Sequence, residues 1–292
     1  MFWLNWHRRD QQQHLEMALK RCRGRISGGL RRQLLRLAPL EMAGLLIAAW
    51  SHLEPGSRAQ LAALMEEEGF MDSWLELLAQ GKAKERVAAA TVLGAVGTGR
   101  ALGPLLAALG DREEGVQLAA AAALARLRDP RCLEPLLTAL AEPRRWPPAR
   151  IAEILLALGP LSVPPLLETL KKSPAEEAVR VIAILGLFQD ARTLPALTAC
   201  LQRDEASIRE AAARSLGELG LEQAASYLQQ ALADPEDGVR AAAARALGKL
   251  KYRQAREELQ DCLEDESWAV RAAARTALAE IAAAEAGLRR SQ

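Results

Sequence analysis

Few side chains in this sequence are placed to do covalent chemistry. Histidine occurs only at His7, His14 and His52, and none is followed by glutamate, so the imidazole and carboxylate sets that hold catalytic iron or zinc are not spelled out. Cysteines stand singly at 22, 132, 200 and 262, without a CxxC pair or another zinc-ligand spacing. No GxSxG, P-loop or dinucleotide fingerprint occurs. Gly94-Ala-Val-Gly97-Thr-Gly99 is glycine-rich, but it follows a helical pattern rather than a strand and reads as a turn. The expectation is a chain with no catalytic residue, no metal and no cofactor, whose chemistry is recognition.

Two groups of residues suit recognition. Arg144-Arg145-Trp146-Pro147-Pro148 and Lys171-Lys172-Ser173-Pro174 supply four cations and a tryptophan, and Arg and Trp are enriched at binding hot spots. Arg144, Arg145, Trp146, Lys171 and Lys172 are the candidate residues for an acidic or phosphorylated protein partner. At the other site, Phe2, Trp3 and Trp6 precede a basic run. Residues 1–40 carry nine Lys/Arg against Asp10 and Glu16, a charge of +7 where the remainder is −6. Aromatics beside such a run suit an anionic membrane surface, with Trp3, Trp6, Arg8, Arg9, Arg21, Arg23 and Arg25 as the candidate membrane- or anion-binding residues.

The elements that position these groups are set by a repeat. Leu93, Leu124, Leu155, Leu185, Leu216, Leu247 and Leu278 follow one another at 31, 31, 30, 31, 31 and 31 residues. A fixed period of this size marks a solenoid of one repeated unit. Val239, Ala242, Ala243, Ala246, Leu247 and Leu250 share one face of a first helix, and Leu221, Ala224, Ala225, Leu228, Ala231 and Leu232 one face of a second. Each unit is therefore a helical hairpin whose alanine-rich first helix permits close approach. Gly97, Gly159 and Gly220 are placed to end first helices. Pro104, Pro135, Pro164 and Pro195 lie near the starts of second helices, and Asp234 and Asp265 are placed to cap the next first helix. With 4% aromatic and 50% hydrophobic residues overall, the composition fits packed helices and leaves little room for strands.

A charge ladder accompanies the leucines. Acids recur near the turns between units (Asp111, Glu142, Asp204, Asp234, Asp265), and bases early in the first helices (Arg86, Arg209, Arg240, Arg271, with Gln117 in the same slot). Adjacent acids and arginines are expected to bond along the stack and not to form a binding site. The ladder fails in the middle, where Pro148 and Ala178 hold arginine slots and Lys172 an acid slot. The two basic segments fall there, in consecutive turns expected side by side about 10 Å apart.

Asp234-Pro-Glu-Asp-Gly-Val-Arg240-Ala-Ala-Ala-Ala-Arg-Ala-Leu247-Gly248, with near copies at Ser207 to Gly220 and Trp268 to Ile281, resembles the HEAT-repeat family in its short-repeat, phycobilisome lyase HEAT-like form. The resemblance implies an all-α, right-handed α-solenoid of the armadillo/HEAT type. It also implies a protein-interaction scaffold or adaptor, since fold alone does not fix activity. A lyase- or chaperone-type subunit that assists chromophore or cofactor attachment is a second reading from the same resemblance, and a membrane-surface adaptor using the basic N-terminus is a third. Some HEAT-like proteins act on DNA, but Glu134, Glu168, Glu258 and Glu264 interrupt any basic stripe, so nucleic acid is not an expected partner. The expected organisation is a basic segment 1–26, a degenerate helical cap 27–84, the repeats 85–284 and a tail 285–292. The longest apolar candidate, Leu34 to Trp50, contains Arg36 and Glu41. Unpaired cysteines suit a reducing compartment. A cytoplasmic location is expected, with membrane association at the N-terminus as the alternative.

Overall fold

The computed structural model describes residues 13–21 and 26–290, and those residues are helices, 3-10 turns and short connections. Two compact units divide the chain, Met1–Leu158 and Gly159–Gln292. In the first unit the helices are α1 (13–20), α2 (Gly28–Leu34), α3 (Pro39–Ala49), α4 (Pro55–Glu67), α5 (Phe70–Gln80), α6 (Ala83–Val96), α7 (Leu102–Ala108), α8 (Glu114–Leu127), α9 (Leu133–Ala139) and α10 (Pro148–Leu158). In the second they are α11 (Val163–Lys172), α12 (Ala175–Leu187), α13 (Leu194–Cys200), α14 (Ala206–Leu219), α15 (Ala225–Ala231), α16 (Asp237–Lys249), α17 (Arg256–Asp261) and α18 (Trp268–Arg290).

Both units are all-α solenoid stacks of the same hairpin. Long first helices lie on one another, α3 on α6 on α8 on α10 in the first unit and α12 on α14 on α16 on α18 in the second. Their packing follows the leucine period: Leu93, Leu124, Leu155, Leu185, Leu216 and Leu247 are all fully buried. Burial of a leucine side chain is worth about 1.5–3 kcal/mol, so the periodic leucines are a principal source of the stack's stability. Leu278, in the last helix, is half-buried.

Close approach depends on the residue after the leucine. A Cβ added to Gly94 would stand 2.4 Å from the Cβ of Ala123; the same addition at Gly186 would meet Ser215 Cβ at 2.6 Å, at Gly217 Ala246 Cβ at 2.8 Å, and at Gly248 Ala277 Cβ at 2.9 Å. Glycine on one first helix thus receives a small side chain from the next. Ser215, the one polar member, is satisfied in this tight seam because its hydroxyl donates to the Ile182 carbonyl at 3.0 Å.

Second helices are shorter than the sequence pattern predicts. Leu221 is extended, Glu222–Ala224 form a 3-10 turn, and α15 begins only at Ala225. The same 3-10 entry precedes α7, α9, α13 and α17. Asp129 and Asp190 fasten two of these entries, accepting from the backbone N–H of Arg131 and Arg192 at 2.9 Å. The expected caps also differ. Asp234 and Asp265 do not cap α16 and α18 directly; their carboxylates accept from Glu236 N–H and Ser267 N–H two residues on, closing the turn before the helix. Gly97 and Gly220 end first helices in the left-handed region at φ 76° and 72°, as the spacing predicts. Arg128, Gln189 and Lys251 enter that region at φ 49–53° without being glycine.

Before the regular layers, α4 packs on α5, its neighbour in the chain. Here α3 stacks directly on α6, and α5 packs against α6 and α7, so α3 and α5 act as an early layer with α4 inserted between them in the chain. Pro55 is the first residue of α4, where a missing N–H costs nothing. Trp74, fully buried, locks this layer by donating its Nε1–H to the Pro39 carbonyl at 2.8 Å.

Gly217→Val drives a branched side chain into Ala246, and the expected result is a loss of about 1–3 kcal/mol in urea unfolding. Lys251→Gly relieves a left-handed residue and is expected to raise stability by about 0.5–1 kcal/mol in the same measurement.

Candidate functional site

The recurring ionisable residues are used within the stack. Arg86 grips Asp111 with Nε and Nη2, both at 2.8 Å, while its Nη1 donates to the Gly81 carbonyl at 2.9 Å. In the second unit Arg209 holds Asp234 at 2.8 and 2.9 Å, and Arg240 holds Asp265 at 2.8 and 3.0 Å. The remaining nitrogen of each turns back to its own preceding turn: Arg209 Nη1 to the Arg203 and Asp204 carbonyls, Arg240 Nη1 to those of Asp234 and Pro235. Every rung therefore joins one layer's first helix to the next layer's turn and fastens two turns at once. Rung side chains are 7–15% exposed, so bidentate geometry and satisfied donors offset the loss of water.

Where the slot lacks arginine, half of this device survives. Gln117 donates to the Asp111 carbonyl at 2.7 Å, which fastens its own turn, but it carries no charge for Glu142 in the following acid slot. Arg271 likewise donates to the carbonyls of Asp265 and Glu266. Burial pushes the Asp111 and Asp234 carboxyls up, yet the facing arginine and the turn N–H outweigh it and leave both below the ordinary 3.8. Asp265 is held down first by Arg240.

The predicted recognition residues fall in both units. In the first, Glu142 carbonyl accepts the N–H of both Arg145 and Trp146 at 3.0 Å, forming a tight turn. The Arg145 guanidinium lies 5.5 Å over the Trp146 ring and 3.8 Å from the Glu142 carboxylate. Trp146 is half-buried, Arg144 and Arg145 are exposed, and Pro148 opens α10. In the second unit, Lys171 and Lys172 are not turn residues as the sequence suggested. They end α11, because Ser173 N–H still reaches the Thr169 carbonyl at 3.0 Å and delays the turn to Ser173-Pro174. Cations suit that helix end. Lys171 pairs with Glu168 at 2.7 Å and borders a groove of about 500 Å³ between α11 and α13, floored by Leu167, Ala196 and Ala199. Of the N-terminal candidates, Arg21 follows α1 and is exposed, whereas Trp3, Trp6, Arg8, Arg9, Arg23 and Arg25 lie outside the described residues.

One concavity was not anticipated. A cleft of about 710 Å³ in the first unit runs across the C-terminal ends of α3, α6 and α8, with Ile47, Trp50, Arg58, Thr91 and Arg126 in its wall. Its floor includes Gly94, Ala95 and Gly97, residues of the glycine-rich segment that the sequence reduces to a turn. The available signal was the run of small residues on α6 between bulkier neighbours. Cys132, Cys200 and Cys262 are free and buried, and burial raises the Cys132 thiol to about 11, away from nucleophilic use.

Comparison with known proteins agrees with the layer pattern. A family model described as HEAT repeats matches residues 71–157, 163–244 and 228–287. Among solved structures, the complex of CpcE and CpcF of phycocyanin lyase from Nostoc sp. PCC7120 is 25% identical, covering 51% of this chain and 99% of that one, with a TM-score of 0.46. Human deoxyhypusine hydroxylase in complex with glycerol is 21% identical over 94% of this chain and 98% of that one, TM-score 0.37. Kap121p bound to RanGTP is 15% identical over 92% of this chain and 34% of that one, TM-score 0.44. No curated protein matches the chain.

The rungs set a pH response. Carboxyls depressed by folding stabilise the native state above their ordinary value, and that contribution is lost as pH falls through the depressed values. Urea midpoints of the native chain are therefore expected to drop below about pH 4, and the drop to be shallower in a chain carrying Asp111→Asn, Asp234→Asn and Asp265→Asn. A double-mutant cycle on Arg209→Ala and Asp234→Ala is expected to give a coupling on the order of 1–3 kcal/mol.

Proposed function

The chain belongs to the HEAT-repeat family, and from that premise we propose that it is a non-catalytic protein-interaction scaffold whose partner is an acidic or phosphorylated protein. One observation carries this reading. Three pairs of ionisable residues that recur with the period, Arg86–Asp111, Arg209–Asp234 and Arg240–Asp265, are bonded from layer to layer, whereas those that break the period face outward: Arg145 over Trp146 on the 142–147 turn, and Lys171 on the rim of the α11–α13 groove. A guanidinium already stacked on an indole loses little freedom on binding and presents its remaining N–H donors to a carboxylate or phosphate. The Arg145–Glu142 and Lys171–Glu168 pairs are exposed, and such pairs are worth little, so a partner's anion can replace the local one at small cost. Free buried thiols at Cys132, Cys200 and Cys262 support placing the scaffold in a reducing compartment, the cytoplasm.

Crosslinked capture from a native-like lysate tests the reading. Wild-type bait is expected to retain a specific protein that is reduced at least ten-fold on a variant with Arg144, Arg145, Trp146, Lys171 and Lys172 changed to alanine, provided both baits melt alike. Capture of the same set by both baits removes these residues from the docking surface.

A further inference from the structure

The cleft across α3, α6 and α8 is basic. Two arginines stand in its wall, Arg58 towards the α3 side and Arg126 on α8, and among the described residues no carboxylate lines it. Arg58 donates Nε to the Trp50 carbonyl at 3.0 Å and Nη2 to that of Ser51 at 3.3 Å. It is therefore oriented by neutral backbone groups and not neutralised by an acid. Arg126 is exposed. This contrasts with Arg86, Arg100 and Arg131 of the same unit, each bound to carboxylates.

The shape follows from side-chain size. On the middle helix α6 and its C-cap the cleft meets Thr91, Gly94, Ala95 and Gly97, while α3 contributes Ile47, the 3-10 turn after it Trp50, and α8 Leu127. Ile47 is 39% exposed. Small residues between two bulkier walls leave a trough that crosses three stacked helices. Neighbouring helices lie about 10 Å apart, so the trough is about 20 Å long, and it has a cation towards each end, with Ile47, Trp50 and Leu127 as its larger apolar side chains. An extended polypeptide advances about 3.3 Å per residue. With the reach of two arginine side chains subtracted, carboxylates spaced about three to six residues apart would meet both cations.

Resting on the scaffold reading, the geometry points to this cleft as the docking site for an extended acidic segment of a partner protein, with an apolar residue held between two carboxylates. The apolar side chain lies against Ile47 and Trp50, over the glycines of α6. One carboxylate takes the Arg126 guanidinium and the other the outward N–H groups of Arg58. Charge complementarity selects the acidic occupant, because a basic or neutral segment would leave both arginines facing it without an acceptor.

Defined peptides test the cleft on the full chain. Fluorescein-labelled decapeptides with a central leucine and two, one or no glutamates, the pair set three to six residues apart, are titrated by fluorescence anisotropy. Tightest binding is expected for two-glutamate peptides. It is expected to weaken at least ten-fold in Arg126→Glu, which reverses one end, and in Thr91→Trp, which fills the floor. Arg214→Glu, on α14 of the other unit, should leave it unchanged. Unaltered thermal midpoints show that the variants fold. Binding indifferent to glutamate, binding retained by both cleft variants, or no binding overturns the proposal. So does a chain that ignores the peptides but sediments with phosphatidylserine vesicles in an Arg126-dependent way. Any of these failures, found while the lysate partner is still captured, removes the cleft and leaves the scaffold reading standing; loss of capture removes that reading on its own.

Discussion

Everything in this chain depends on how closely its first helices can approach. Four of the layers offer a glycine, one residue past the periodic leucine, to an alanine or serine of the next at Gly94, Gly186, Gly217 and Gly248, and even a methyl group there would overlap its neighbour. That contact sets the distance at which the leucines can close over one another. It also brings the arginine of one layer within reach of the next layer's aspartate. Apolar packing and the polar rungs are thus two results of one steric constraint. Alanine-rich first helices serve the same end, because alanine combines the best helix propensity with the smallest side chain that still excludes water.

Close packing creates a polar problem that the rungs solve. Each turn between layers brings several backbone carbonyls together at a partly buried edge, where unbonded polar groups are costly. Arginine supplies five donors in a rigid fork. Two of its nitrogens go forward to the next aspartate and one goes back to the carbonyls of its own turn, so a single side chain satisfies both sides of a joint. A lysine in the slot would supply charge without that fork. Once the periodic charges are committed in this way, recognition rests on residues that depart from the period. These are the Arg145–Trp146 turn and Lys171, together with the cleft of Arg58 and Arg126.

The fold was legible because the features that specify it recur. Seven leucines at near-constant spacing and the paired acid and arginine slots announce the layers, and three rungs form where the slots are filled. Features fixed by local backbone competition were less legible. The entry of the second helices through 3-10 turns, the extra turn of α11 that absorbs Lys171 and Lys172, and the use of Asp234 and Asp265 to close turns all rest on single hydrogen bonds. No pattern in the sequence announces such bonds. The cleft was hidden for another reason. Arg126 lies far in sequence from Trp50 and Arg58, and the glycines beneath them match the ordinary signature of a helix end. Only the stacking of α3, α6 and α8 assembles them.

The rung has a genetic counterpart. Arg209 and Arg240 meet partners 25 residues downstream, and each layer carries both an arginine for the joint ahead and an aspartate for the joint behind. Duplicating or deleting one whole period between such layers leaves every remaining joint with the same donor, the same acceptor and the same glycine seat. The stack can therefore lengthen or shorten in evolution by unequal recombination, without redesign of its interior. Layers that have given up a rung, such as those of Gln117, Pro148 and Ala178, have left this exchangeable set. Their position in the order is fixed, and each is free to diverge as an individual.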